Sequence, residues 1–508
     1  MSVTVLNTTA SLSGKTLLKV EDSQTITGLK TFDLGASAPL AVSAGSAKVT
    51  YLDADKLDGL EASAFYLASK YASIGLFNVK DYGALGDGLT NDTVALEAAK
   101  SAVSAAGGGI MFFPAGTYLI DYTSSAPTFG LYFNFGVQVC GVGPGKSVIK
   151  NSSATAAAVR CAGDDVYVRD LTIDNNSSSG NAFQQGGQYT ATENLEILNQ
   201  GGAGYAFVFS GCTLSLVKDV HIKTSTNGFR SDTTASQYCT FLHCSVETST
   251  GTALSITSGV SHDFVKFYIE DTAAAGNMTR LIDLDACHAI NFYDFSTEQA
   301  TRTLTDDDYV RINNCKTVNF YGGRFSHAGT ASKSLFRVTG TTTKGVQFDG
   351  LYIVSTKASM VLFEVDGSAT LYGVVARNIT TDLTSAATGV LCTSTVIGTT
   401  LEDWVDNNTV ATHTLSGPSQ FVKNVGGDIA STYSSPGDIL FVNCTGTLSG
   451  TGVARSVRIN CGTSAKLRLP SNTSDIQVFA DNAAAKAGSL GDGDIYRTAT
   501  GVVMVVYT

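Results

Sequence analysis

The sequence is poor in charge, in proline and in long apolar runs. Charged residues make up 15% of its 508 residues, against roughly 25% for an average globular domain, and it has 7 prolines. The net charge is −11 and Lys and Arg are not clustered, which argues against a nucleic-acid partner. The late apolar run GVVMVVY is too short to span a bilayer, and the N-terminus MSVTVLNTTASL lacks the basic and apolar regions of a signal peptide. We therefore expect neither membrane insertion nor signal-peptide export.

Cysteine is present without the spacing of a metal or redox motif. The 10 cysteines are scattered singly, which is typical of a chain made in a reducing cytosol whose thiols serve as small core residues. The nearest approach to a metal cluster is CTFLHC, with Cys239, His243 and Cys244. It lacks finger spacing, so the sequence predicts no metal site and no cofactor.

Glycine, threonine, serine and valine are abundant instead, and they favour an all-β chain. A chain of 508 residues exceeds the size of one ordinary hydrophobic core, so we expect several units or one elongated repeat. Residues 1–76 contain few aromatics and have flexible joints such as GASAPLAVSAGSAK. They predict a slender, separately folded N-terminal module.

A helix followed by strands is predicted within residues 77–120. Thr90 or Asn91 can cap a helix that begins at Asp92 and ends at Gly107, after which IMFF and TYLI form strands. An amphipathic helix at this place can cover the open end of a β-solenoid, whose exposed strand edge would otherwise invite aggregation.

An internal repeat follows, in which apolar residues recur every 23 to 28 positions. A period in the twenties indicates a solenoid, where each coil buries its apolar face by stacking on the next. Leucine-rich repeats share this period, but five Phe in one column suit a β-helix interior better. Residues 77–400 are therefore predicted to form a parallel β-helix. The anchor residues are Ile173, Ile197, Ile222, Val246, Ile269, Thr297, Phe325, Ile353 and Ile379.

The repeat fades near Trp404. Residues 401–508 return to short β runs such as DILFVN, SVRIN, IQVFA and VVMVVY, separated by turn residues. They predict a β-rich C-terminal domain, sandwich-like or interlocked, for trimerisation or carbohydrate binding.

Three segments carry a family resemblance. The string from Asp81 to Tyr118 resembles the entrance to the pectate-lyase-like β-helix superfamily, found in bacteriophage tailspikes and some polysaccharide-active enzymes. TITGLKTFDL with KVTYLDADKLDGLEASAFY is similar to modules of phage tail fibres, and KAGSLGDGDIYRTATGVVMVVYT is similar to C-termini of tail proteins. The polygalacturonase motifs NTD, GHG and RIK are missing, so the resemblance transfers no catalytic residue.

This resemblance implies a right-handed β-helix in a homotrimer, joined to the phage tail or baseplate through residues 1–76. The protein would be made in the host cytoplasm, carried in the virion tail, and act on a polysaccharide at the bacterial surface. Trimeric spikes gain avidity from three identical sites on a repetitive glycan.

Outward-facing strand positions are the candidate sites for chemistry. The residue after an anchor points outward, and in three consecutive coils it is Glu247, Glu270 or Glu298. Neighbouring coils lie about 4.8 Å apart and alternate coils about 9.6 Å apart. Retaining glycosidases need carboxyls about 5–5.5 Å apart and inverting ones about 6.5–9.5 Å. We predict these three residues, hereafter the Glu ladder, as catalytic; the alternative is a solvated wall, or one that faces a basic stripe on another subunit.

Further outward side chains are predicted to bind substrate. Tyr rings offer stacking faces, Arg offers a fork for carboxylates, and His and Lys can orient substrate or serve a lyase. Each of them, taken alone, is also an ordinary surface residue. The predicted set is His221, Lys223, Tyr268, Arg324 and Tyr352.

Other carboxylates are interpreted as structural at this point. Asp164 and Asp165 precede a strand in a typical turn, and the run Asp306 to Asp308 is interpreted as a solvated loop. Asp232 and Asp306 are the reserve candidates if the Glu ladder is inactive.

The sequence thus predicts a spike that binds and hydrolyses a capsule, O-antigen or similar glycan. A polysaccharide lyase and a non-enzymatic receptor-binding fibre or structural virion protein are the competing functions.

Overall fold

The computed structural model of the chain describes most of residues 75–459 and several short segments outside that range. The gaps within it are 123–128, 232–235, 272–278, 300–307, 328–333, 357–359, 367–370, 385–386, 394, 407–409, 417–419, 426–427, 433–437, 443, 445–447 and 452–454. The chain divides into two compact units, Met1–Leu67 and Ala68–Thr508. In the first unit, Ser11–Leu12 pairs antiparallel with Lys15–Thr16. Residues 1–10, 13–14 and 17–74 of the predicted N-terminal module lie outside the described residues, and Leu76 belongs to the first strand of the second unit.

The described residues of the second unit form a parallel β-helix up to Ile459, as predicted, and its first wall is a sheet in which fourteen strands are described. Every strand pairs in parallel with the matching strand of the next coil, for example Val159 with Phe183 and Phe183 with Phe207. The strands of wall 1 are Phe129–Phe133, Ala157–Cys161, Phe183–Gln185, Phe207–Phe209, Phe229–Ser231, Thr252–Thr257, Arg280–Asp285, Asp308–Asn313, Ser334–Thr339, Val361–Val365, Ala387–Cys392, Val410–Ser416, Asp428–Thr432 and Leu448–Thr451.

A second parallel sheet closes the coil. In most coils it bends at one residue, so the segment before the bend forms wall 2 and the segment after it forms wall 3. The strands are Leu76–Asn78, Asp87–Asn91, Ile110–Phe112, Gly116–Ile120, Gln138–Cys140, Ser147–Asn151, Tyr167–Asp174, Ala191–Gln200, Leu216–Ser225, Thr240–Leu242, Ser245–Ser249, Val260–Val265, Tyr268–Asp271, His288–Gln299, Lys316–His327, Lys344–Asp349, Tyr352–Ser355, Leu371–Leu383, Val396–Ile397, Thr400–Asp406, Gln420–Val425, Asp438–Val442 and Arg455–Ile459.

The bend between walls 2 and 3 is made by one left-handed residue per coil. Asn and Asp tolerate this conformation best after Gly, and they fill most of the positions. Their side chains also connect successive coils: Asn194 Nδ2 donates to Asp170 Oδ1 at 2.7 Å. The bend residues with positive φ are Asp170, Asn194, Asp219, His243, Lys266, Asp294, Gly322, Gly350, Asn378, Asp403 and Asn424.

The interior is a stack of aromatic rings. Phe264 lies between Phe241 and Phe292, with ring centroids 4.6 and 4.9 Å away and interplanar angles of 10° and 17°. Phe320 and Phe348 continue the same column, which confirms the five predicted Phe positions, all fully buried. A Cβ on Gly323 would lie 2.0 Å from Phe295 O, which explains the glycine in an otherwise large inward column.

A helix covers the first coils, as predicted. It spans Thr93–Ala105 and buries Leu96, Ala99 and Val103. Asn91 Oδ1 accepts from Thr93 N at 3.0 Å, so the helix begins one residue later than expected. The carboxylate of Asp92 binds the preceding turn instead, accepting from Leu85 N at 2.7 Å.

The predicted register holds for eight of the nine anchors and fails at the last one. Ile353 pairs with Thr381 rather than with Ile379, so the coil that ends at the ninth anchor is longer than predicted. A slip from Ile379 to Thr381 keeps the same face inward, and both residues are fully buried, so the apolar pattern could not detect it. Arg377 was predicted in the inward column, but its side chain lies on the outer surface of the coil and pairs with Asp349.

The coils continue past residue 400, so the predicted end of the β-helix there is too early. Trp404 pairs with Val425, Phe421 with Leu440, and Leu440 with Val457, and each pair is closer in the chain than the one before it. Because these coils are shorter, they do not follow the period in the mid-twenties on which the prediction was based. Trp404 itself is buried, with its ring edge-on to Phe363 at 5.7 Å.

Two further elements are described near the C-terminus. A short helix spans Asn482–Ala487, and Ile495–Arg497 pairs antiparallel with Val503–Val505. Within the part of the chain that the structure describes, no helix is long and apolar enough to cross a membrane.

The nine described cysteines are all buried. Cys239 and Cys244 lie in the core, whereas His243 is exposed at a bend. The three side chains of CTFLHC therefore do not converge.

Candidate functional site

All the predicted site residues lie on wall 3. Glu247 pairs directly with Glu270, and Glu270 with Glu298. Tyr268 is opposite Ser296 in the next coil, and Arg324 and Tyr352 follow in the two coils after that. His221 and Lys223 lie in the coil before Glu247. The predicted residues therefore form two adjacent columns that run along six consecutive coils.

The Glu ladder is partly accessible. Glu247 and Glu270 are half-buried, and Glu298 is exposed. Adjacent strands place the attachment points of neighbouring ladder residues about 4.8 Å apart, and those of Glu247 and Glu298 about 9.6 Å apart. These attachment spacings are close to the carboxyl separations of about 5–5.5 Å and about 6.5–9.5 Å that retaining and inverting glycosidases use.

A lysine lies at the N-terminal end of the ladder. Lys223 Nζ donates to Glu196 Oε1 at 2.9 Å, and Thr172 Oγ1 donates to Glu196 Oε2 at 3.1 Å. The hydrogen bond and charge of Glu196, with a contribution from Glu247, raise the pKa of Lys223 above its usual value. Lys223 is thus a fixed cation beside the first carboxylate of the ladder.

A chain of hydrogen bonds leads from a histidine to the same carboxylate. His221 Nδ1 and Ser245 Oγ are 2.9 Å apart, and Ser245 Oγ donates to Glu247 Oε1 at 3.4 Å. Because the hydroxyl can accept from the imidazole while donating to the carboxylate, a proton can pass between His221 and Glu247. Sequence reasoning placed His221 here but gave no role to Ser245.

A tyrosine joins the other two ladder residues. Tyr268 OH donates to Glu298 Oε2 at 3.3 Å. Burial, followed by the negative charges of Glu270 and Glu298, raises the pKa of Tyr268 far above its usual value. The phenol therefore stays protonated at physiological pH and remains a hydrogen-bond donor between the two carboxylates.

The C-terminal end of the site is open. Arg324 is exposed, and no hydrogen bond or ion pair of its guanidinium is found among the described residues. Tyr352 OH donates to Asp382 Oδ2 at 3.3 Å. Sequence reasoning missed Asp382 because of the register slip, which put Thr380 in its place beside Val354.

The segments of the chain that follow this wall fall largely outside the described residues. They include 272–278, 300–307, 328–333 and 357–359. Both reserve carboxylates, Asp232 and Asp306, lie outside the described residues as well.

A second charged cluster, on wall 1, was not predicted. Arg311 donates to both carboxylate oxygens of Asp283 at 2.8 Å, and Arg337 Nε donates to Asp366 Oδ2 at 2.9 Å. Asp308 is 1% exposed and accepts from Arg280, which corrects its interpretation as part of a solvated loop. Asp308 is the first residue of its strand and is buried there. A buried charge needs a partner of opposite charge.

This cluster differs from the Glu ladder in its charge balance. Its carboxylates are paired with guanidinium groups, and the hydrogen bond to Asp366 raises the pKa of Arg337 further above its usual value. Asp283 and Arg311 occupy the same position in successive coils, so a search of every outward column would have found the pair. The ladder carboxylates, in contrast, lie beside one another.

One protein family matches part of the chain. Residues 76–166 match the family described as Rhamnogalacturonase A/epimerase, pectate lyase-like. This segment contains the capping helix and the first coils, and it includes the motif that carries the family resemblance in the sequence.

Curated relatives match a similar share. Mannuronan C5-epimerase AlgE4 of Azotobacter vinelandii is 34% identical over 149 residues, 25% of this chain and 27% of the relative. Depolymerase 1, capsule KN3-specific, of Klebsiella phage KN3-1 is 30% identical over 147 residues, 25% of this chain and 19% of the relative. The chain thus spans only a minor part of the length of these two relatives.

A solved structure from a virus also resembles the chain. The Geobacillus virus E2 protein ORF18 is 17% identical, with a TM-score of 0.42, and the match covers 66% of this chain and 64% of that one.

Proposed function

We propose that the chain is a phage tailspike that binds and hydrolyses a bacterial surface polysaccharide during host adsorption. The observation that carries the proposal is the register of Glu247, Glu270 and Glu298 on three consecutive coils of wall 3. Similarity to a capsule-specific phage depolymerase and to a polysaccharide epimerase supports a polysaccharide as the substrate class.

Hydrolysis needs one carboxyl to protonate the leaving oxygen and a second to act as nucleophile or general base. The His221–Ser245 relay can return a proton to Glu247, which suits it as the acid. Glu298 accepts from the phenol of Tyr268, which suits an ionised nucleophile or base. A pair of adjacent ladder residues favours retention at the sugar carbon, and Glu247 with Glu298 favours inversion.

Substrate binding falls to the side chains on either side of the ladder. Tyr268 and Tyr352 supply ring faces that stack on sugars, and Arg324 and Lys223 supply cations for acidic substituents. The polymer would lie parallel to the solenoid axis and cross successive coils, since the predicted residues form columns in that direction.

The assembly and attachment complete the proposal. The chain forms a homotrimer, and residues 1–76 join it to the tail or baseplate. Residues 401–508, whose first part continues the β-helix, support trimerisation or carbohydrate binding. It acts at the bacterial cell surface as part of the virion tail.

The test is incubation of the full chain with a panel of purified capsules and O-antigens, followed by chain-length analysis. Hydrolysis shortens one polymer and leaves new reducing ends, and NMR of the first product reports retention or inversion. Binding without shortening would show a non-enzymatic receptor-binding fibre and would overturn the enzymatic proposal.

A lyase is the second candidate, favoured by the exposed guanidinium of Arg324. A lyase abstracts the proton beside a uronate carboxylate, and an Arg fork can bind that carboxylate in two places. Similarity to a mannuronan C5-epimerase is consistent with an acidic substrate. A lyase product is unsaturated and absorbs ultraviolet light, which the same incubation detects.

A further inference from the structure

Several cations on the β-helix pair with a carboxylate on a neighbouring coil. Arg377 Nη2 lies 2.7 Å from Asp349 Oδ2, and Lys423 Nζ lies 2.7 Å from Glu402 Oε1. Lys223 with Glu196, Lys218 with Glu193 and Arg311 with Asp283 follow the same arrangement. In a chain of net charge −11, this pairing is readily available.

At one corner of the solenoid, three basic side chains lie beside one another instead of beside a carboxylate. His288, Lys316 and Lys344 begin successive strands of wall 2 and lie directly beside one another. All three side chains are exposed, and none of these side chains forms a hydrogen bond or ion pair with another described residue. Neighbouring strands are about 4.8 Å apart, a spacing at which the like charges of Lys316 and Lys344 destabilise the pair. A group that benefits from this arrangement is therefore expected to be an anion.

The corner also has a hollow of suitable size and polarity. A depression of about 430 Å³ is lined by His288 and Lys316 together with Asn314 and Thr342. Asn314 Oδ1 is occupied by the backbone N–H of Thr341 at 2.9 Å, so its amide nitrogen remains as a donor. Cations and donors thus dominate the polar lining, which matches an oxyanion.

An aromatic ring follows the cations. Lys344 is opposite Tyr372 in the next coil, and the side chain of Tyr372 is 51% exposed. A sugar ring can stack on such a face while its acidic substituent contacts the lysines.

The same corner bears exposed large side chains in earlier coils. Tyr189, Leu214 and Tyr238 have φ of 55°, 54° and 53° and are more than half exposed. Bulky residues are uncommon in this conformation, and the matching positions of later coils are Ser261, Ala289, Thr317 and Gly345. Tyr189 and Tyr238 are two coils apart, about 9.6 Å, which suits successive sugars of an extended chain.

We infer that this corner is a second glycan-binding strip, separate from the Glu ladder, which takes a polysaccharide bearing oxyanion substituents, whether carboxylate or phosphate. His288, Lys316 and Lys344 bind the oxyanion, and Tyr372 and Tyr238 support sugar rings on either side. The strip lies on the edge between walls 1 and 2, whereas the ladder lies on wall 3. The inference rests on the proposed function in taking a glycan as the ligand.

The test is direct binding of the full chain to defined polymers, measured by calorimetry. The probes are oligomannuronate for a carboxylate, a glycerol-phosphate teichoic polymer for a phosphate, and neutral dextran. The double variant Lys316→Gln/Lys344→Gln is compared with Lys218→Gln/Lys423→Gln, which removes the same charge from paired cations. Tyr238→Ala is measured with short and long oligomannuronate.

We expect the first double variant to raise the Kd of at least one acidic probe 10-fold or more, and the control less than 3-fold. Tyr238→Ala should weaken the long oligomer but not the short one. The probe that binds identifies carboxylate or phosphate. No binding by either acidic probe, equal binding of dextran, or equal losses in both double variants would overturn the inference.

The readout separates this inference from the proposed function. Binding lost at Lys316 and Lys344 in a chain that cleaves no polymer would leave the strip standing and remove the hydrolase. Cleavage of an acidic polymer with unchanged KM in that double variant would remove the strip and leave the hydrolase.

Discussion

Tyr268 and Glu298 are joined across two neighbouring coils, with the phenol donating to the carboxylate at 3.3 Å. This contact exists because the residue after one anchor and the residue before another lie on the same outer wall. It places a protonated donor between two carboxylates, since burial and the charges of Glu270 and Glu298 raise the pKa of Tyr268. The contact distinguishes Glu298, which accepts a hydrogen bond from Tyr268, from the other residues of the Glu ladder.

Replacing the ladder carboxylates one at a time tests these roles. If two of Glu247, Glu270 and Glu298 act as acid and as base or nucleophile, the corresponding Gln variants should lower turnover by about 100-fold or more. Folding should persist, since exposed strand positions usually change stability by less than about 0.5 kcal/mol. Turnover on the polymer found in the panel, melting temperature and polymer binding are measured together.

Glu402→Gln is the control, because Glu402 is a half-buried carboxylate on wall 2 that pairs with Lys423. Near-normal turnover in all three ladder variants would exclude the Glu ladder as the active site. Attention would then move to Asp232, Asp306 or a groove between subunits.

Two substitutions of Tyr268 separate its ring from its hydroxyl. Tyr268→Phe keeps the stacking face and removes the donor to Glu298, so polymer binding should be retained while turnover falls about 10-fold or more, as expected for a lost bond to a charged group. Tyr268→Ala removes both and should also weaken binding. Equal binding by the Phe and Ala variants would contradict a stacking role.

The aromatic column should dominate stability. Phe264 is fully buried and stacked on both sides, so Phe264→Ala should lower the free energy of unfolding by about 3–5 kcal/mol. Tyr293→Ala is the matched control, because Tyr293 stacks on Tyr321 at 5.4 Å but is 38% exposed; its cost should be about 1 kcal/mol. Denaturant unfolding measures both, and similar losses would show that the column is not the main support.

The pair of Arg377 and Asp349 predicts a pH-dependent contribution to stability. Burial alone raises the pKa of Asp349, but hydrogen bonds from Asn378 and Arg377 outweigh it and hold the pKa below its usual value. A carboxyl with a lower pKa in the folded state contributes stability above the unfolded value of about 3.9, and loses it as pH falls through the folded pKa.

Arg377→Gln should therefore lower the melting temperature at pH 7 and converge with the parent as pH falls well below 4. The effect at pH 7 should be at most about 1 kcal/mol, because the Arg377 side chain is 42% exposed. Arg324→Gln is the control, since no partner of Arg324 lies among the described residues. A difference that is constant from pH 7 to pH 3 would rule out the electrostatic origin.

The oligomeric state is tested by light scattering. The monomer mass is 52.9 kDa, and a trimer gives three times that value. Three copies present three identical sites to a repetitive glycan, which is the source of the expected avidity. A mass at the monomer value would remove the trimer from the proposal.

Sequence alone determined the solenoid, its capping helix and the register of the wall that carries the Glu ladder. It could do so because inward positions recur with each coil, and large apolar residues such as Phe264 and Phe292 are stable only in the interior. One inward column fixes the outward columns beside it, so Glu247, Glu270 and Glu298 followed directly.

Only the tertiary structure decided the features for which the apolar pattern of the sequence allows more than one strand register. A slip from Ile379 to Thr381 keeps the same face inward, so only strand pairing placed Thr381, and with it Asp382, beside Tyr352. The C-terminal coils shorten progressively, so only their parallel pairing shows that they continue the β-helix. Only the strand pairing shows that Lys316 and Lys344 lie beside one another and that their side chains have no ion-pair partner among the described residues. Charge pairing across coils depends on which side chains meet, and a single strand does not contain that information.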